Sequence, residues 1–336
     1  MIKNIVIAAT SAAFLSACAD SAGLPGPTAS NGADVAIAPA GAPFPVNVEI
    51  GIGDADYVSL RPRVAVAGYN VGGYTFASAT SSAGGGVFSN RGTASSTVAL
   101  EANGIDEALL IRIATAAQAD LIAQLTAAGF DVVPTSELQN APNAAILELG
   151  SPSYEQDVSA VYGERTVLVA GPSGQGVQGY KKIGAANINF RTPTALSEEL
   201  DAAILMPNVV FDFAATEGGR AAYARTASAS ADLLFTLDPN TVADLSVTEN
   251  GRASFGSTYI LAQPVASAEP FGTIGAVEES DNSGQQVLSG LLGATVSNRS
   301  RSAAQVSIDP AAYEALALDA ARGWNAALVE EMRAGL

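Results

Sequence analysis

The chain has 336 residues, a formal net charge of −17, a pI near 4.2, one cysteine and no histidine. Its acidity excludes nucleic acid and anionic lipid headgroups as natural partners, since both need a basic surface. The missing histidine removes Ser-His-Asp and Cys-His catalysis, His-ligated zinc and histidine acid–base chemistry.

Residues 1–17 read as a signal peptide. A lysine, Lys3, precedes the apolar run Ile5–Leu15, which is too short to span a bilayer, and small residues lead to Cys18. The run Leu15-Ser16-Ala17-Cys18 resembles the lipobox of bacterial lipoproteins. The resemblance implies cleavage before Cys18 and acylation of its sulfur and new amino group, a palmitate-type anchor in which two or more chains hold stably where one does not. Ala19 rather than Asp follows Cys18. By the sorting rule of enteric bacteria this implies the outer membrane, facing the periplasm, with the inner membrane and the cell surface as the other destinations. No later segment reaches the ~20 apolar residues of a membrane helix, so anchoring through the lipid is the expectation. With Cys18 acylated, no disulfide forms.

Residues 18–45 are rich in Ala, Gly, Pro and Ser and read as a flexible tether, with a single α+β domain over 46–336. Arg63–Tyr69 alternates after Pro62 and predicts a strand. Residues 71–96 are rich in Gly, Ser and Thr and read as a long loop or a hairpin. Ile105–Ala128 sets Leu110, Ala114, Ala117, Leu121 and Leu125 on one stripe, a long central helix ended by Gly129. Phe130–Val133, Ala145–Leu149 and Thr166–Ala170 read as further strands.

The segment Gly171-Pro172-Ser173-Gly174-Gln175-Gly176 has the look of a phosphate loop but lacks the Gly-Lys-Ser/Thr ending, and Gln175 stands where a nucleophile elbow needs glycine. It reads as a glycine-rich turn. Val209–Ala215 alternates with Asp212 on the polar face. Ala231–Leu237, Val242–Thr248 and Arg252–Leu261 predict an antiparallel three-strand meander, turned at Asp238-Pro239-Asn240 and at Asn250-Gly251, with Glu249 facing Arg252. Asp238, Asn240 and Asp244 resemble part of a calcium loop without its glycine and distal glutamate, so a turn is expected. Residues 280–305 fit helix and strand equally, and Arg299 and Arg301 make a small basic spot there. Asp309-Pro310 opens a C-terminal helix with Tyr313, Ala317, Ala320, Trp324 and Leu328 inward, packed on the sheet across the meander.

No Ser stands three residues before Lys181 or Lys182, so a Ser-Lys dyad is not indicated. The adjacent acids Glu198–Glu199, Glu278–Glu279 and Glu330–Glu331 read as solvated faces. No catalytic, cofactor-binding or metal residue is assigned. Cys18, as the lipidation site, is the one site residue.

Val64–Tyr69, Leu121–Val133 and the lipobox together resemble periplasmic domains of the curli-secretion-channel lipoproteins and of the TolB amino-terminal domain. Ser173–Tyr180 resembles the glycine-rich stretch of the channel family, and the aromatic–Asn constriction loop of that family has no match here. The expected function is a non-enzymatic envelope accessory or assembly factor with protein partners and no identifiable small-molecule ligand. The alternatives are an outer-membrane secretion-channel subunit, with membrane hairpins at 71–92 and 164–191, and a hydrolase using two carboxylates.

Overall fold

The computed structural model describes residues 35–61, 63–83, 94–160, 163–179, 193–217, 219–221, 230–249, 252–281 and 298–336. Cys18, the signal segment, Lys181, Lys182, Asn250-Gly251 and most of 280–305 lie outside them.

The fold is α+β: a mixed sheet with a long central helix and a C-terminal helix. The strands in chain order are β1 (Ala36–Ala38), β2 (Val48–Ile52), β3 (Arg63–Val66), β4 (Asn70–Ala83), β5 (Ala94–Asn103), β6 (Asp131–Val132), β7 (Ser153–Ala160), β8 (Gly163–Ala170), β9 (Ala203–Glu217), β10 (Gly219–Ala221), β11 (Ser230–Leu237), β12 (Val242–Glu249), β13 (Arg252–Leu261), β14 (Val265–Ser267), β15 (Gly272–Asp281) and β16 (Asn298–Ile308). The α-helices are α1 (Glu107–Ala127), α2 (Thr135–Asn140), α3 (Thr194–Leu200) and α4 (Pro310–Ala334).

Period-two alternation in β3 and β9 builds a core on each sheet face. Val64, Val66, Ala203 and Leu205 join the main core with α1 and α4. Ala65, Ala67, Ala202, Ile204 and Met206 face the other way, onto Leu138 of α2, Leu196 and Leu200 of α3, and Leu147. Both faces are covered, so the strands read as apolar runs.

The helices follow their local signals. Asp106 caps α1, its Oδ1 accepting from the Leu109 amide at 2.8 Å, and the predicted stripe is buried. Gly129, at φ +96°, takes the left-handed turn after it. Contrary to the expectation that no segment is long enough, α1 is long and apolar enough to cross a membrane, with mean hydropathy 1.3. Here its stripe packs into the core. Asp309 caps α4 through the Ala311 and Ala312 amides, and all five predicted inward residues are buried. The helix lies beside α1 and touches β2 and β11, rather than crossing a meander.

The two helices are joined by the Arg112–Glu314 ion pair at 2.8 Å and, in the interior, through Asn325. Tyr69 Oη donates to Asn325 Oδ1 at 2.8 Å, while Asn325 Nδ2 donates to the Ala117 carbonyl at 3.0 Å and to Asp120 Oδ2 at 2.8 Å.

Two open sequence readings are decided and two expectations change. Residues 71–96 contain the arms of an antiparallel pair, β4 with β5, from Phe76↔Glu101 to Ala83↔Ala94. Around Ala145 the chain forms a 3-10 turn over Pro142–Leu147, not a strand. Residues 280–305 supply the end of β15 and most of β16, a strand paired in parallel with β5. Residues placed in the tether belong to the body: β1 pairs with β14, and Phe44 is buried in the core.

The three-strand meander is also rearranged. β12 and β13 form the predicted hairpin, with Glu249 opposite Arg252 in register. However, β11 does not fold back on β12. β11 runs along Phe211–Glu217 of β9 and β12 continues along Ile204–Asn208, both antiparallel to it. The Asp238-Pro239-Asn240 turn is thus a jog in one interrupted strand. It is clipped to β9 by the Asp238 amide on the Val210 carbonyl at 2.8 Å and by Thr241 Oγ1 accepting from the Val210 amide at 3.0 Å.

Candidate functional site

Three places carry features beyond packing. The first is a buried charge cluster. β4 lies between β8 and β9 along Val71–Gly73, so a side chain on β8 reaches one on β9 only by passing over β4. Arg165 and Asp212 do so: Arg165 Nη1 pairs with Asp212 Oδ2, with side chains 0% and 1% exposed. The Arg165 guanidinium lies 5.4 Å from the centroid of the intervening Tyr74 ring. Asp212 Oδ1 also accepts from the Ala214 amide at 3.1 Å.

Asp238, fully buried, stands nearby. Its Oδ1 accepts from the Asn240 amide at 2.9 Å and from Asn240 Nδ2 at 2.8 Å, and the same Nδ2 donates to Tyr74 Oη at 3.1 Å. Burial pushes the Asp212 carboxyl up to about 6; the Arg165 charge opposes the rise, and Asp238 adds to it. Tyr313 is raised above the ordinary phenol range, by burial first and by Asp212 second.

Perturbed carboxylates mark functional sites when they line a cleft. These do not: solvent reaches neither Arg165 nor Asp212. Their chemistry is that of a lock joining β8 to β9.

The expected polar face of β9 is therefore an inner face. Asp212 stands on it as predicted, but enclosed. Arg165 was missed, although the sequence held a signal: it shares the alternating set Arg165, Val167, Val169, all buried.

The second place is the glycine-rich turn. Its amides are used internally. Gln175 and Gly176 donate to the Pro172 carbonyl at 3.1 and 3.0 Å, Val177 to Ser151 O at 2.7 Å, and the Ser173 amide to Thr115 Oγ1 at 2.9 Å. A phosphate cradle needs such groups turned outward. The turn is closed so tightly that a Cβ on Gly171 would lie 1.9 Å from the Gly176 carbonyl oxygen. A shallow cleft of about 370 Å³ beside it is lined by Ile111, Pro152, Pro172 and Gln175 with the loop glycines and Ser173. Among the described residues, no charged side chain lines it.

The third place is the two long strands that have one neighbour each. The strands β7-β8-β4-β5-β16-β15 form one hydrogen-bonded path. Among the described residues, β7 pairs only with β8, and β15 only with β16. The short strands β1, β2, β6 and β10 likewise have one strand partner each. Glu155 and Asp157 are exposed on β7.

The other predicted positions are not brought together. Glu198 and Glu199 are exposed on α3, where Glu199 Oε2 accepts from the Asn143 amide at 3.0 Å. Asp244 Oδ1 accepts from Thr258 Oγ1 at 2.7 Å. Among the described residues, no group of three or more acidic or cysteine side chains is placed to hold a metal ion. The chain matches no family model, no curated protein and no solved structure.

Proposed function

We propose that this protein is a lipid-anchored lipoprotein of the bacterial cell envelope. In this reading it is held through Cys18 at the outer membrane, facing the periplasm, and its body works as a non-enzymatic scaffold or assembly factor. The observation that carries the reading is a folded body in which, among the described residues, the long strands β7 and β15 each have one strand partner, set behind a lipobox-like run and a Pro/Gly-rich tether. Open edges are where an extended segment of another chain adds as a further strand. The tether lets the body search for such a segment near the membrane.

Photo-crosslinking from Glu155 on β7, in the lipidated protein, is the test. Capture of an envelope protein, abolished by a proline at Gln156, supports the reading. No capture, together with an envelope unchanged by deletion of the protein, overturns it.

A second reading, a secretion-channel subunit, is favoured by strand length. β4 has 14 residues, β5 and β15 have 10 each and β16 has 11, against the roughly 9–11 that a tilted barrel strand needs. Rings seen by electron microscopy of detergent-extracted protein support it, and a strictly monomeric particle overturns it.

A further inference from the structure

We propose that β1 is a releasable strap that stores leash length. It is the first described element of the chain, on the side of the expected anchor, and this part of the argument rests on the lipoprotein reading above.

The strap is weakly held. β1 makes three parallel pairs with β14, Ala36↔Val265 to Ala38↔Ser267. The Ala36 amide donates to Pro264 O at 3.0 Å, and the Ala268 amide to Ala38 O at 3.2 Å. Ala38 alone of the three residues is buried, and Ile37 is 48% exposed. Beyond β1, a turn at Gly41, with φ +75°, is clasped by Glu269, whose Oε1 accepts from the Gly41 amide at 2.6 Å.

The next contact is of another kind. Phe44 is buried and stands edge-on to Phe235, with ring centroids 5.9 Å apart. Phe235 in turn touches Phe211, Phe271 and Tyr313 at 5.2–5.7 Å. Holding strength therefore steps up sharply between Pro43 and Phe44. Segments with few apolar contacts and exposed hydrogen bonds open separately from the core. Residues 35–43 meet that description, and Phe44 is where opening stops.

Release adds those residues to the leash, about 30 Å of chain at ~3.3 Å per residue. It also uncovers the outer edge of β14, whose residues are otherwise buried. Tension between the anchor and a docked body drives this opening, so the reach of the body and the exposure of the β14 edge are coupled.

Amide hydrogen exchange on the full-length protein in detergent tests the strap without reference to its lipid. The Ala268 amide is expected to exchange at least about 100-fold faster than the amides of β12, as a local rather than a global opening. Glu269→Ala removes the clasp and is expected to speed Ala268 about tenfold, the loss of one hydrogen bond to a charged acceptor, with β12 rates unchanged. Exchange of Ala268 in step with β12, or no change in Glu269→Ala, overturns the proposal. Palmitate labelling at Cys18 reads the anchor separately, so failure of the anchor and failure of the strap are distinguished.

Discussion

Arg165 and Asp212 form an ion pair with both side chains closed off from solvent, joining two strands that are not neighbours in the sheet. Breaking one half of a buried pair leaves an uncompensated charge in a medium that solvates it poorly, at a cost of about 3–5 kcal/mol. Arg165→Met alone and Asp212→Leu alone are each expected to destabilise by about that amount. The double variant is expected to cost less than either single change, because it removes both charges at once. Urea unfolding of the four proteins checks this. Additive losses show that the pair does not act as a unit.

The same carboxyl makes stability depend on pH. Burial raises Asp212 from 3.8 to about 6 in the folded state, so the folded protein binds this proton more tightly than the unfolded chain does. Stability from this group therefore rises as pH falls from 7.5 through about 6 and levels off below about 4. Thermal melts between pH 7.5 and 4.5 are expected to show a higher Tm on the acid side. Relief of repulsion among the other carboxylates acts in the same direction, so the diagnostic is the difference from Asp212→Asn. That variant is expected to show the smaller pH slope, and equal slopes exclude Asp212 as the source.

Local signals were legible in the sequence and non-local ones were not. α1 and α4 announce themselves through stripes at spacings of three and four, and α4 also through its Asp309 cap, because capping and helical facing involve residues close in the chain. The β12–β13 hairpin is legible for the same reason. The partner of β11 is not. Asp238-Pro239-Asn240 has the composition of a reversing turn, and what makes it a jog instead is Val210, far away in sequence, which takes the Asp238 amide and the Thr241 hydroxyl.

The tether boundary fails similarly. Ala36–Ala38 has a linker's composition, and only the edge of β14 turns it into a strand. Of the charge cluster, Asp212 was visible as the polar residue between two phenylalanines. Its enclosure depends on Tyr74 and Arg165, which other strands deliver.

Asn325 offers a test of how the helices are held. Its amide takes the Tyr69 hydroxyl on one side and donates to α1 on the other, at Ala117 O and Asp120. Asn325→Leu keeps the branch at Cγ, though with more volume, and leaves the buried Tyr69 hydroxyl and the Asp120 carboxylate without this partner. The expected loss is about 1–3 kcal/mol. Tyr69→Phe in the same background is expected to recover part of it, since the orphaned hydroxyl is then gone. No recovery in the double variant assigns the loss to packing.

Gly171 tests whether the glycine-rich turn is a closed structural element. A methyl group there meets the Gly176 carbonyl oxygen at 1.9 Å, backbone that a rotamer change does not move. Gly171→Ala is expected to destabilise by about 1–3 kcal/mol, the range for forcing extra volume into a packed position. Gly174→Ala meets nothing within 4 Å, but its φ of +78° still strains a side chain, so about 1 kcal/mol is expected there. Chemical denaturation ranks the two. A larger loss at Gly174 than at Gly171 shows that conformation rather than the close approach governs the turn.

Cys18 is the chain's single cysteine and the residue on which the proposed location depends. If residues 1–17 are removed and Cys18 is acylated, metabolic labelling with palmitate marks the protein and the label disappears in Cys18→Ser. The variant is expected to leave the membrane fraction while keeping the melting temperature of the parent body. Retention in the membrane by unlabelled Cys18→Ser protein points instead to the long strands β4, β5 and β16, and so to the channel reading. A soluble variant with an unchanged fold separates the anchor from the body it holds.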